Sequence, residues 1–183
     1  MTDTHPRDPP SPFVEHWTSR LSSAIEEPRR ALDVAMGRGR HALELAATGF
    51  RVFGVDIKPD AVHDAVVRAA RRGFRVRGWC ADLTISTLPV RRFELIVVTR
   101  YLQRDLCGAL ADALTPGGII LYETFTEAQR ARGRGPTSPD HLLKPGELPG
   151  LFGDLETLFY EEVAGPDADA LARLVARRRR SPS

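Results

Sequence analysis

The sequence predicts a single layered α/β domain built from parallel βαβ units. Short apolar segments alternate along the chain with amphipathic helical ones, which is the pattern that such units produce. The 183 residues match the size of one domain, and a content of 42% hydrophobic and 27% charged residues is ordinary for a globular protein. We expect one domain over 13–178, preceded by a disordered arm (1–12) and followed by a basic tail end (179–183).

The first half of the chain shows clear boundaries for its elements. The apolar residues of the first helix recur at helical spacing, and the strands are short apolar or alternating runs. Gly49 ends one helix, and Pro59 and Gly73 bound another, at the positions where these residues are favoured. The predicted elements are a helix beginning near Ser11, a strand at 31–36, a helix at 40–49, a strand at 50–56 and a helix at 58–73.

The second half continues the alternation until residue 125. The predicted elements are strands at 74–79 and 93–99, a helix at 101–114, and strands at 119–125 and 155–163. The proline-rich segment 126–150 has little periodicity, and we expect a long loop on the substrate side there. The last segment, 169–180, fits either a helix or a strand.

The composition argues against several classes of protein. A formal charge of +2 from 26 basic and 24 acidic residues does not call for nucleic acid. Cys80 and Cys107 provide neither a disulfide framework nor a metal-ligand cluster, which suits a reducing cytoplasm. The start of the chain is polar and proline-rich, unlike a secretory signal, and no apolar run approaches the ~20 residues that cross a bilayer. We therefore expect a cytoplasmic protein without a metal, a membrane or a nucleic-acid partner.

A glycine-rich turn joins the first two strands. Gly37 and Gly39 allow the backbone to turn sharply and approach a ligand, although tight links use glycine for structural reasons as well. The helix that starts near Arg38 offers free N–H groups to an anion. Asp56, at the end of the second strand, is placed to accept hydrogen bonds from both hydroxyls of a ribose, or else to cap the next helix. Together these residues predict a nucleoside-containing cofactor.

Two cofactors fit this turn. The spacing Gly37-x-Gly39-x-x-Ala42 matches a dinucleotide fingerprint, so an NAD(P)-dependent oxidoreductase is one alternative. Asp33 precedes the turn, however, and a carboxylate there suits a cationic ligand better than a pyrophosphate. Asp82 follows the third strand, where it can accept a hydrogen bond from an adenine amino group or merely begin a turn. S-adenosylmethionine, with its ribose, adenine, sulfonium and ammonium groups, fits these carboxylates better.

The ordered set of motifs resembles a known family. The segments LDVAMGRGRHALELA, GVDIKPDAV, CADL, FELIVVTRYLQ and LTPGGIILYETF resemble those of class I S-adenosylmethionine-dependent methyltransferases. The downstream ETF…GRGPTSPDHLLKPGELPGLF…LFYEE is similar to the tellurite-resistance-type small methyltransferases. The resemblance implies a Rossmann-like sheet of seven strands, mostly parallel with an antiparallel last strand, and helices on both faces. It therefore favours a strand at 169–180.

The same resemblance implies a set of cofactor-binding residues. They are Asp33, Ala35, Met36, Gly37, Gly39 and Arg40 at the methionine end and turn, Asp56 and Ile57 for ribose and adenine, Ala81, Asp82 and Leu83 at the adenine edge, and Thr99 near the sulfonium. Ala35 and Met36 stand where the family usually shows a glycine followed by a small residue. Because alanine adopts a positive φ less easily than glycine, we expect weaker cofactor binding.

The substrate side is less clearly marked. Tyr101 follows the fourth strand and either contacts the substrate or packs on the core. Arg130, Arg132 and Arg134 crowd the long loop, where they hold an anionic substrate or only face solvent. We expect methyl transfer to a small-molecule acceptor by in-line displacement, with no catalytic residue identified and the oligomeric state open. A non-catalytic cofactor-binding or interaction module is the further alternative.

Overall fold

The computed structural model describes residues 9–165 and 168–180, and its centre is a seven-stranded sheet. The strands are β1 (Arg30–Val34), β2 (Arg51–Asp56), β3 (Val76–Cys80), β4 (Phe93–Thr99), β5 (Leu114–Phe125), β6 (Glu156–Val163) and β7 (Leu171–Arg177). Their order is β3-β2-β1-β4-β5-β7-β6. β7 is antiparallel to both of its neighbours, and the other pairs are parallel. This confirms the predicted Rossmann-like sheet with an antiparallel last strand.

Helices cover both faces of the sheet, as predicted. They are α1 (Pro12–Leu21), α2 (Arg40–Ala47), α3 (Pro59–Arg71), α4 (Cys107–Ala113) and α5 (Glu147–Leu151). The buried side chains of α1, α2 and α3 belong to the hydrophobic cluster on one face, and those of α4 and α5 to the cluster on the other. No helix in the described ranges is long and apolar enough to span a bilayer.

The alternating burial of β7 explains why 169–180 forms a strand rather than a helix. Ala172 and Leu174 pack into the cluster on the α4 face, whereas Val175 packs into the cluster on the α1 face. A residue period of two places these side chains on opposite faces of a sheet, and both faces are covered here. The strand therefore buries both sets of apolar side chains, whereas a helix would bury one stripe.

Two predicted boundaries are wrong. The helix expected from Tyr101 begins later, as a short 3-10 turn at Arg104–Leu106 that continues into α4. The Tyr101 carbonyl accepts a hydrogen bond from the Tyr122 hydroxyl at 3.0 Å, and Gln103 has an extended φ of −142°, so the chain is not helical there. Residues 115–118, which lie between the expected helix and the expected strand, belong to β5, where an irregular register with β4 absorbs the extra residues.

The expected long loop at 126–150 contains regular structure. Short 3-10 helices cover Glu127–Arg132 and Pro139–His141, and α5 begins at Glu147. The guanidinium of Arg104 donates to both carboxylate oxygens of Glu147, at 2.6 and 3.0 Å, and to the Leu142 carbonyl at 2.9 Å. These contacts tie the segment to the start of α4.

The two ends of the chain are described only in part. Residues 1–8 and 181–183 lie outside the described residues. Ser11 is buried and Pro12 begins α1, so the disorder expected for residues 1–12 does not extend to 9–12. The N–H of Ser11 and the Pro9 carbonyl both bond to side chains at the start of α2.

Candidate cofactor and acceptor site

The strand order reverses between β1 and β4, and the candidate site lies where these two strands end. From β1 the order runs outward through β2 to β3, and from β4 it runs the other way to β5. The loops after β1 and β4 therefore diverge and open a crevice at the carboxyl edge. Ligands of open α/β sheets bind at such a point.

The turn after β1 has a left-handed backbone at three positions. Ala35 and Gly37 have φ of 52°, and Gly39 has φ of 75° and caps α2. A Cβ atom at Gly39 would lie 2.7 Å from the Cβ atom of Ala65, so α2 and α3 approach each other closely there. Ala35 adopts the positive φ in spite of its side chain, which costs roughly 1–2 kcal/mol. The turn thus has the sharp path that the glycines predicted.

Asp56 is held rigidly at the end of β2. Its Oδ2 accepts the N–H of Gly37 at 2.8 Å, and its Oδ1 accepts the N–H of Lys58 at 2.9 Å. A carboxylate has about four lone-pair sites, so each oxygen can accept one further hydrogen bond. Asp56 is therefore fixed by the glycine turn and can still accept from two hydroxyl groups.

Asp33 is a buried carboxylate without a hydrogen-bond partner among the described residues. It is 1% exposed, and neither of its oxygens is bonded. Burial raises the pKa of this carboxyl to about 7. The nearby Ala42 N–H and the charge of Arg40 act in the opposite direction, although the N–H falls short of hydrogen-bond geometry. Burying an unpaired carboxylate is costly, so this position suits a ligand that brings a positive charge.

His41, next to Arg40 at the start of α2, is buried and connects three elements. Its Nε2 accepts the Ser11 N–H at 3.1 Å, so Nδ1 carries the proton and donates to the Thr99 hydroxyl, also at 3.1 Å. Burial, followed by the charges of Arg40 and Arg100, lowers its pKa to about 3, which keeps the ring neutral. The sequence signal was its place beside the apolar stripe of α2. This bond links the end of β4 to the start of α2, and a contact of Thr99 with the cofactor stays a prediction.

Asp82 begins a turn after β3. Its Oδ1 accepts the Thr84 hydroxyl at 2.7 Å and the Thr84 N–H at 2.9 Å. These hydrogen bonds lower the pKa of the exposed carboxyl. The turn interpretation of this motif is therefore correct, and a role toward adenine depends on the remaining lone pairs.

The apolar side chains near these carboxylates differ in their exposure to solvent. Met36 and Leu83 are buried, whereas Ile57 is 58% exposed directly after Asp56. The N–H of Ala81 donates to the Asp56 carbonyl at 3.1 Å, which keeps the ends of β2 and β3 together. An exposed Ile57 beside a fixed carboxylate offers a surface on which a flat base can pack.

Tyr101 faces the same side of the crevice as the carboxylates. Burial raises the pKa of its hydroxyl, and the charges of Asp82 and Asp56 add to this effect. The hydroxyl donates to the side-chain oxygen of Gln103, whose nitrogen donates to the Leu83 carbonyl at 3.1 Å. Tyr101 is therefore positioned by the residues that follow it.

The three arginines of segment 126–150 do not form one group. Arg130 is exposed on the 3-10 helix. Arg132 donates to the Ala164 carbonyl at 2.9 Å, and Arg134 pairs with Asp169 at 3.1 Å. Both of these contacts reach the connection between β6 and β7, which no periodic pattern in the sequence could reveal.

The family comparison supports a methyltransferase domain. Residues 31–118 match the model of the methyltransferase domain family. The chain is 29% identical over 164 residues to Hemagglutinin 1 of Eikenella corrodens, a match that covers 82% of this chain and 54% of the relative. It is 25% identical over 137 residues to the ubiquinone biosynthesis O-methyltransferase of Idiomarina loihiensis, covering 72% and 54%. The chain spans about half the length of the curated relatives it matches.

Solved structures share the fold over nearly the whole chain. TehB of Haemophilus influenzae superposes with a TM-score of 0.69 at 19% identity, covering 90% of this chain and 62% of TehB. An S-adenosylmethionine-dependent methyltransferase of Methanosarcina mazei gives a TM-score of 0.71 at 16% identity, covering 94% and 100%. At these identities the likeness concerns the fold. The chain therefore has the Rossmann-like methyltransferase fold, and its residues 31–118 match the methyltransferase domain family.

Proposed function

We propose that this chain transfers a methyl group from S-adenosylmethionine to a small-molecule acceptor. The observation that carries this proposal is Asp33, a buried carboxylate near the end of β1 that has no hydrogen-bond partner among the described residues. A ligand with an ammonium group would supply the positive charge that this carboxylate lacks. S-adenosylmethionine would also supply an activated methyl group, whose leaving group is the neutral thioether of S-adenosylhomocysteine.

The residues of the crevice would divide the cofactor between them. We assign the ammonium end to Asp33, the ribose hydroxyls to Asp56, and the adenine to Ile57 and to the chain around Asp82. Since the leaving group is already activated, the protein contributes orientation and exclusion of water. A general base is needed only for an acceptor that arrives protonated, and we assign none.

One contact argues against the dinucleotide alternative. The Gly37 N–H, which such a site would offer to a pyrophosphate, already donates to Asp56 at 2.8 Å. A pyrophosphate at this turn would also lie near two carboxylates, Asp33 and Asp56, whose charge would repel it. Both features favour a cationic sulfonium compound over NAD(P).

We propose that the acceptor is small and anionic. The connections after β4, after β5 and between β6 and β7 meet at the acceptor side, and Arg100, Arg132 and Arg134 lie on them or contact them. Guanidinium groups suit carboxylate and oxyanion ligands because they donate in pairs.

The two free thiols, Cys80 and Cys107, agree with an enzyme of the reducing cytoplasm.

Calorimetric titration tests the cofactor assignment. We expect micromolar binding of S-adenosylmethionine and S-adenosylhomocysteine, no binding of NADH, and loss of both interactions in Asp56→Ala. Asp154→Ala, which removes an exposed carboxylate from the connection between α5 and β6, is the matched control and should bind normally. Binding of NADH would support the oxidoreductase alternative. Binding of the cofactor without release of S-adenosylhomocysteine from any acceptor in a broad panel would favour a non-catalytic module.

A further inference from the structure

Arg100 is a non-glycine residue with a left-handed backbone at the mouth of the crevice. It directly follows β4 and has φ of 52°, the same value as Ala35 after β1. Its N–H donates to the Glu123 carbonyl at 2.8 Å, which holds this conformation. Strained backbone that the surrounding structure enforces is concentrated at functional sites. The two strands that border the crevice thus end in the same strained conformation.

The Arg100 side chain is half exposed and lies over an apolar floor. Its guanidinium carbon is 5.9 Å from the centre of the Phe125 ring, and Phe125 is only 8% exposed. The charge of Arg100 also contributes to the lowered pKa of His41. A half-exposed positive charge therefore lies at the carboxyl end of β4, near the start of α2.

The carboxylate next to Arg100 is held more firmly by other residues. Asp169 Oδ1 accepts from Arg134 Nε at 3.1 Å and from Gln129 Nε2 at 3.3 Å. Gln129 is fully buried and also accepts the Ala170 N–H at 2.7 Å, so it fixes this corner. Arg100 reaches only Oδ2, at 3.5 Å. A guanidinium has five N–H donors, and the acceptors among the described residues leave most of those of Arg100 open to a ligand.

We propose that Arg100 binds a carboxylate group of the methyl acceptor and that Asp169 limits this affinity by competing for the same guanidinium. The inference rests on the proposed methyl transfer and names the acceptor class, a small carboxylic acid. The fork geometry of arginine matches a planar carboxylate in two parallel hydrogen bonds. Arg100 is then a residue that determines specificity, and it takes no part in the displacement.

A pair of probes that differ only in charge tests this assignment. Benzoate and its neutral analogue benzamide are titrated into the protein saturated with S-adenosylhomocysteine, with dissociation constants measured by ligand-observed NMR at low chloride. We expect benzoate to bind at least ~10-fold more tightly than benzamide, as one charge-assisted contact provides. Arg100→Gln should abolish this preference, whereas Asp169→Asn should tighten benzoate binding several-fold because the competing charge is gone.

Arg91 provides a matched control. It is an exposed arginine with φ of 51°, and its N–H donates to the Asp112 carbonyl at 2.8 Å, but it precedes β4 at the opposite edge of the sheet. Arg91→Gln should therefore leave benzoate binding unchanged. Equal affinity for the two probes, or an unchanged preference in Arg100→Gln, would overturn the inference.

The cofactor titration separates this inference from the proposed function. S-adenosylhomocysteine binding is measured first for each variant, and it should be unchanged in Arg100→Gln and Asp169→Asn. A loss of that binding in Arg100→Gln would assign Arg100 to the cofactor instead of the acceptor and would overturn the inference. A wild-type protein that binds no S-adenosylhomocysteine contradicts the proposed function, and the charge preference is then measured on the protein alone.

Discussion

Asp33 is the residue whose substitution should separate stability from function. Its buried carboxyl has a pKa of about 7, against an ordinary value of 3.8. Between these values the folded chain holds a proton that the unfolded chain has lost, so the free energy of unfolding falls as the pH rises. At ~1.4 kcal/mol per pH unit, this interval lowers the stability by about 4 kcal/mol. The ionised carboxylate therefore destabilises the ligand-free protein above pH 7.

Asp33→Asn keeps the shape of the side chain and removes its titration. The difference in the free energy of unfolding between variant and wild type should change by about 4 kcal/mol from pH 4 to pH 8, in favour of the variant. At pH 4 the wild-type carboxyl is protonated and, like the new amide, is a neutral buried polar group, so the two proteins should have similar stability there. The variant should be the more stable protein at pH 8. Urea unfolding at the two pH values measures this difference.

The affinity for the cofactor should change in the opposite direction. Loss of a charge-assisted contact costs ~1.5–3 kcal/mol, so Asp33→Asn should bind S-adenosylhomocysteine at least ~10-fold more weakly at pH 8. Asp154→Asn is the control and should change neither stability nor affinity. A stability difference that does not vary with pH would refute the reasoning about the buried carboxylate, and an unchanged affinity would refute its contact with the ammonium.

The remaining predictions concern residues that shape the crevice from behind. In Gly54→Ala the new Cβ atom would lie 2.0 Å from Met36 Sδ, so the free energy of unfolding measured in urea should fall by ~1–3 kcal/mol. Adding Met36→Ala should restore it, and a lack of recovery would contradict this contact. His41→Leu should lose ~1–3 kcal/mol at pH 7 because it leaves the Ser11 N–H and the Thr99 hydroxyl unpaired. The pKa of His41 is about 3 in the folded chain, against an ordinary value of 6.5. As the pH falls through this interval, the unfolded chain binds a proton that the folded chain does not, so the free energy of unfolding decreases. His41→Leu should lack this decrease. The same acid sensitivity in both proteins would refute the assignment.

The sequence was sufficient for the sheet because the pattern and the burial agree. The central strands are apolar runs buried on both faces, and glycine or proline marks the helix ends. The meeting of Gly37 and Asp56 was also predictable, since the carboxyl ends of neighbouring parallel strands lie at one edge. These features depend on local spacing and on one rule of topology.

The acceptor side could not be predicted in the same way. Arg100 and Asp169 are 69 positions apart, and their contact depends on how the chain between β6 and β7 folds back. Gln129 lies in a segment without periodicity, yet it is fully buried because it bonds to Ala170 and Asp169. Arg130, the first arginine of the loop, is exposed. Charge in a sequence indicates a possible ligand, but the partner within the fold decides which arginine is available.

Ala35 and Met36 stand where the family usually shows a glycine followed by a small residue, and residues on neighbouring strands accommodate the larger side chains. The Met36 side chain packs against two glycines. A Cβ atom at Gly54 would lie 2.0 Å from Met36 Sδ, and a Cβ atom at Gly78 would lie 3.2 Å from Met36 Cε. Two glycines at paired positions of β2 and β3 thus make room for the larger side chain beneath the turn. Buried contacts of this kind hold Ala35 at φ of 52°, since strained backbone persists only where its surroundings enforce it. The turn therefore keeps its left-handed path without a glycine at position 35, and the weaker cofactor binding expected from the sequence stays a prediction.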